Sequence, residues 1–288
     1  MKEVIIKLIE ILVHAVFPAV VFTICSEITL RDLLGEIRHP SRLLRISLVS
    51  LLAVPVATAA TFKFFGADMV VTGIALVAAM APGDSFALLE AESKKARITL
   101  AAATMTWLCI LMPFTVPAWL ALASQVFPLR LEASPLEIFT TVAPLTILPL
   151  ALGVFFREVF PALSNILKKI TGSFFRVAIV IVALASLLYA PQGLAHYTAG
   201  SVVAICVAVT AALFMGYYCG LPERKDRLTS ALTASLGNFA AVILVAHLSY
   251  PRAHIVAVAV VFIMIRWLVI MFWYLILRHF LIARGETP

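Results

Sequence analysis

Apolar residues run along this chain in blocks of about twenty, divided by short segments that carry most of the charge. A helix needs roughly 20 apolar residues to cross a bilayer core. The blocks predict nine spans, at about 5–25, 42–62, 68–89, 97–123, 137–156, 173–190, 198–219, 228–248 and 253–277. The first is not a cleaved leader. It holds Glu10 and His14, has no small-residue cleavage motif, and runs into an amphipathic connection at 27–45.

Charge supports the count. When the connecting segments alternate between two sides, sixteen of the 22 Lys and Arg residues fall on one side and five on the other, and Arg266 is left inside the ninth span. An extra or missing helix would scramble that segregation. By the positive-inside rule the N-terminus lies outside and the C-terminus in the cytoplasm, which suits a plasma membrane such as the bacterial inner membrane. Composition agrees: 63% of residues are hydrophobic and 13% charged, and the mean hydropathy is +1.07. Soluble domains run at about 45–50% apolar and 25% charged, so too few polar residues are present to cover a body in water. The positive net charge of +7 reads as topology and lipid contact, not nucleic-acid binding. The four scattered cysteines suggest neither a disulfide framework nor a metal site.

Two spans carry breaks. In the third, Pro82-Gly83 sits well inside the apolar block and is followed at once by Asp84 and Ser85. Proline removes a backbone donor and glycine removes the barrier to non-helical backbone. In the eighth, Thr233, Ser235, Gly237 and Asn238 cluster between apolar halves. The stretches 75–89 and 230–243 can be laid over one another with one gap. Each is the second of three consecutive spans, and the two begin on opposite sides. Interrupted helices in corresponding positions of inverted halves point to a transporter's binding site, because unwound backbone at membrane depth must face protein or a polar cavity.

These residues resemble the bile acid:sodium symporter family. The resemblance rests on Ser26-Glu-Ile-Thr-Leu30 through Arg38-His-Pro40-Ser-Arg-Leu-Leu44, on Ala81-Pro-Gly83, on Pro113 and Pro117, and on Gly220-Leu-Pro222 ahead of Asn238. It extends over about residues 10–275. It implies an all-α polytopic membrane protein with inverted repeats, in which a core with two broken crossing helices moves against a panel. Residues 1–30 and 137–190 would form the panel. Residues 42–123 and 198–280 would form the core repeats, with broken helices at 68–89 and 228–248. The family pattern has ten spans, so the resemblance implies that the first is missing here. Relatives hold sodium with a Ser-Asn pair, hydroxyls on the next helix, and a Glu and a Gln flanking the second break. Those positions fall on Ala87 and Leu88, near Ala101 and Met105, and on Thr233 and Gly237; only Asn238 is kept. A hard cation needs several oxygen ligands, which makes sodium coupling doubtful for this chain.

Two charged residues inside spans are the alternatives. Asp84 would take and release a proton if burial raises its pKa, or would cap the following half-helix. Arg266 would neutralise Asp84, occupy the vacated cation position as a tethered charge, or bind an anionic substrate. The expected substrate-binding set is Asp84, Ser85, Thr233, Ser235 and Asn238, with Asp84 and Arg266 for coupling or charge balance. The expected ligand is a small or amphipathic organic anion, its carboxylate or sulfonate facing half-helix N-termini. No catalytic residue, metal site or cofactor is expected beyond a possible coupling proton. A proton-coupled or uncoupled carrier of the same architecture is the alternative within transport, and a membrane enzyme or scaffold is the alternative outside it. No paired nucleophile and base favours an enzyme. The protein is expected as a monomer or homodimer. Glu90 and Glu92 read as an interfacial charge cluster, Glu10 and His14 as a packed polar pair, and Trp107 and Phe114 as packing residues.

Overall fold

A computed structural model describes residues 2–38, 40–81, 98–128, 132–187, 190–219, 224–250 and 253–283, and the account below concerns these. Their regular structure is helical. Helix α1 is Lys2–Cys25, α2 Leu30–Ile37 and α3 Pro40–Leu48. A wide turn at Val49–Ala53 carries α3 into α4, Val54–Phe64. Then follow α5 (Met69–Met80), α6 (Ile98–Val126), α7 (Pro135–Val159), α8 (Pro161–Leu187) and a short α9 (Ala190–Leu194). The chain ends with α10 (Ala199–Cys219), α11 (Arg224–Ser235), α12 (Phe239–Ser249) and α13 (Ala253–Ala283).

Five described segments are long and apolar enough to cross a membrane: Leu43–Phe64, Leu100–Val126, Pro135–Val159, Ala199–Cys219 and Ile255–Ile276. The apolar stretches His14–Cys25, Met69–Met80 and Phe239–Ser249 are shorter. One helix extends beyond its expected apolar block. The sixth block, expected to start near 173, belongs to a helix that begins at Pro161. Its first turns are polar, so the apolar block understates the helix. Lys168 reaches Glu27 at 2.9 Å and Thr171 meets Thr23 at 2.8 Å, so these polar residues tie α8 to α1 and its end. The connection at 27–45 is also more ordered than a loop, since α2 and α3 occupy most of it. Thr29 caps α2 by accepting from the Asp32 N–H at 3.1 Å.

Local chemistry explains the element ends. Ser134 and Glu137 form a reciprocal capping box at the start of α7, with Pro135 in the first turn where its missing N–H costs nothing. Asp68 caps α5, accepting from Val70 N at 2.9 Å and Val71 N at 3.3 Å. The wide turn before α4 has a visible cause. Pro55 cannot donate to the carbonyl of Leu51, and the Trp119 indole N–H supplies that bond at 2.7 Å.

Helix α1 packs on α7 and α8. It approaches α7 closely at Gly153, where a Cβ would stand 2.9 Å from the Phe22 carbonyl oxygen and 3.0 Å from Cys25 Cβ. Small residues permit such approach between membrane helices, where packing replaces the hydrophobic drive. Helices α4, α5, α6, α10, α11 and α13 pack among themselves, and α12 lies between α5, α13 and α1. Helix α6 runs through the interior, with Leu100, Met105, Leu108 and Met112 fully buried.

Candidate functional site

The second interruption is at Leu236-Gly237-Asn238. Helix α11 ends at Ser235, and α12 restarts at Phe239 with Asn238 as its cap, the Asn238 Oδ1 accepting from Ala241 N at 3.0 Å. Helix α5 ends at Met80, immediately before Pro82-Gly83. The two ends touch: the Asn238 N–H donates to the Ala81 carbonyl at 2.6 Å. A Cβ on Gly237 would fall on the Ala78 carbonyl oxygen and 2.7 Å from Arg266 Nη1. Glycine is required here for closeness and not for unusual backbone, as the positive-φ glycine among the described residues is Gly66.

This contact brings together the C-terminal ends of α5 and α11. Each such end leaves carbonyls without intrahelical donors and carries roughly half a negative charge. Arg266, from α13, sits against one of them. Its Nε donates to the Ser235 carbonyl at 2.5 Å, and its Nη2 donates to the same oxygen. The side chain is buried, at 7% exposure. A buried guanidinium is tolerable when hydrogen-bonded and faced by negative charge; the helix end supplies both. Beside it lies a small pocket of about 20 Å³, bounded among others by Thr58, Ala78, Ser235 and Arg266. That volume suits a water molecule.

The expected substrate-binding residues separate into three groups. The hydroxyls of Thr233 and Ser235 turn back to their own helix, donating to the Thr229 carbonyl at 2.9 Å and the Leu232 carbonyl at 3.3 Å. Ser235 contributes its backbone oxygen, to Arg266. Asn238 is fully buried, and its side-chain Nδ2 has no hydrogen-bond partner in the described structure. Asp84 and Ser85 lie outside the described residues, as do Glu90 and Glu92. Trp107 and Phe114 have packing roles. The Trp107 indole donates to Ser47 at 3.1 Å, and the Phe114 ring lies 5.5 Å from Phe139. His14 meets His247 edge-on, with ring centroids 6.4 Å apart, so α1 and α12 touch through imidazoles.

Two features escaped the sequence reading. Thr104, on α6, has a buried hydroxyl with no partner in the described structure, beside the fully buried Met105. Asp68 does more than cap α5. Its Oδ1 lies 3.1 Å from His196 Nδ1, and its N–H donates to Ser201 Oγ at 3.0 Å, tying the start of α5 to the start of α10. An acidic residue directly before an apolar helix is a readable cap signal; its histidine partner is not.

Helices long enough to span, with the end of α5 held against the interruption between α11 and α12, mark an integral membrane protein. The family model described as the sodium bile acid symporter family matches residues 16–190, more than half of the chain, and the protein belongs to that family. The match stops short of α11 to α13, which hold Asn238 and Arg266. No curated protein matches the chain.

Proposed function

We propose that this protein is a secondary transporter of a small or amphipathic organic anion, working by alternating access, in which Arg266 supplies the positive charge that relatives obtain from sodium. The observation that carries the reading is the Arg266 guanidinium on the Ser235 carbonyl, where the ends of α5 and α11 meet. Carbonyls at such an end are cation ligands in waiting, and here a tethered cation already occupies one. Apart from Asn238, the side chains at the ligand positions that the resemblance implies do not suit sodium either. Ala101 and Met105 offer no oxygen, Gly237 has no side chain, and the Thr233 hydroxyl is committed to its own helix.

In this reading α1, α7 and α8 are the panel, and α4 to α6 with α10 to α13 are the moving core. The N-terminus lies outside a plasma membrane in this reading, which the distribution of basic residues supports. Asn238 faces the substrate through its side-chain amide, with Asp84 and Ser85 contributing from the first break. The fixed charge of Arg266 offsets the substrate's anionic group and the two helix ends, without leaving the protein at the end of a cycle. Uptake by proteoliposomes of an organic-anion panel, with sodium and proton gradients imposed separately, tests this. Sodium-independent uptake that falls in Arg266→Gln supports it. Uptake driven by sodium overturns it, and so does the absence of flux for every anion, which would favour a scaffold.

A further inference from the structure

Away from the crossover, α10, α11 and α13 enclose a cleft of about 220 Å³. Its floor is apolar, made of residues such as Leu213, Leu228 and Ile270, and its wall includes Tyr217, Tyr218 and Trp273. The wall is built and held in place. The Trp273 indole donates to Thr210 Oγ1 at 2.8 Å, and the Phe214 ring meets it edge-on at 5.2 Å. The cleft opens outward, with Tyr218 77% exposed. At the level of Tyr217 stands a charge, the Arg227 guanidinium, 5.7 Å from the centre of the Tyr217 ring. Arg224 and Lys225 belong to the same first turn of α11.

We infer that this cleft holds an acyl chain of an anionic phospholipid, with its headgroup at Arg227. Three observations select that occupant. The lining is apolar apart from the O–H and N–H groups of Tyr217, Tyr218, Trp273 and Tyr274, so the ligand's body is hydrocarbon. Tyrosine and tryptophan concentrate at the level of lipid headgroups, which places the rim at a membrane interface. The first turn of α11 carries Arg224, Lys225 and Arg227 against one buried carboxylate, Asp226, so its net charge is basic and coincides with the positive N-terminal end of the helix, which complements a phosphate diester. The occupant would also brace the interrupted helix. Leu232 lines the cleft one turn before Ser235, and Ile270 lines it one turn after Arg266. Lipid in the cleft therefore fills the space between the two helices that the Arg266 contact joins.

The test uses the full chain, delipidated in neutral detergent and given phosphatidylglycerol or phosphatidylcholine with identical acyl chains. Retained lipid is counted by native mass spectrometry. The wild type is expected to retain phosphatidylglycerol about fivefold over phosphatidylcholine, the preference one basic residue confers near a lipid surface. Arg227→Gln should bring that ratio close to one while keeping a bound lipid. Trp273→Ala should lose both lipids. Tyr218→Ala, whose exposed side chain makes it a milder change, should lower retention of both. Phe155→Ala on α7, outside the cleft, should behave as wild type. Equal retention of the two lipids by the wild type overturns the inference, and so does unchanged retention in both Trp273→Ala and Tyr218→Ala. Displacement of phosphatidylglycerol by cholate, with cholate uptake lost in Tyr218→Ala, would make the cleft a substrate path and overturn it as well.

Discussion

Adding one methyl group at Gly237 should damage the crossover more than any comparable glycine change elsewhere. The Cβ of Gly237→Ala would overlap the Ala78 carbonyl oxygen, which is backbone in the last turn of α5 and cannot rotate away. Relief requires the break to move off α5. That movement strains the buried bond from the Asn238 N–H to the Ala81 carbonyl, only 2.6 Å long. Overpacking typically costs 1–3 kcal/mol, and an unsatisfied buried backbone group about 1–3 kcal/mol. Because moving the break relieves one at the expense of the other, the expected loss is about 3 kcal/mol, not the sum of both maxima. For a chain of this size that corresponds to a fall in melting temperature of roughly 5 °C. Gly172→Ala on α8 is the control, because a Cβ there meets nothing within 4 Å. It should be neutral or slightly stabilising, since alanine favours helix over glycine. Thermal unfolding followed by tryptophan fluorescence, on both variants in the same detergent, measures the difference. If Gly237→Ala melts with Gly172→Ala, the end of α5 and the break after α11 do not press together as described, and the argument from that contact fails.

Arg266→Gln should lose about 2–4 kcal/mol of stability, because a charged hydrogen bond goes and two helix ends lose their compensation; denaturant titration checks this, and Arg266→Lys should rescue it only in part. Gly153→Ala, which presses a Cβ onto the Phe22 carbonyl and Cys25 Cβ, should loosen α1 from α7 by about 1–3 kcal/mol, read as faster labelling of Cys25 by a thiol reagent. Trp119→Phe should cost about 1–3 kcal/mol by leaving the buried Leu51 carbonyl without a donor, again read from denaturant titration. Burial first, and the charge of Asp68 second, push the Tyr250 phenol from its ordinary 10.0 up to about 12. Its folded form therefore holds the proton more tightly than the unfolded chain does. Its contribution is complete below pH 10 and lost as pH rises towards 12, so alkaline destabilisation should be shallower in Tyr250→Phe.

What could be read in the sequence followed from chemistry that stays local. Gly237 and Asn238 mark the second break because a small residue and a capping side chain act within one turn of where they stand. Five spans stand out by length and apolar content alone. The acceptor for Arg266 could not be read, because it is a backbone oxygen, identical at every residue and reached only once α13 packs on α11. For the same reason Thr233 and Ser235 looked available to a ligand until their hydroxyls were placed on their own helix. The start of α8 was obscured by polar residues that face α1 and its end, where hydropathy counts them as loop.

Uptake of a radiolabelled organic anion into proteoliposomes with sodium absent, then present at a tenfold inward gradient, tests the central claim most directly. The account predicts equal initial rates in the two conditions and a large loss in Arg266→Gln. A rate that rises with sodium, or wild-type uptake by Arg266→Gln, would contradict it.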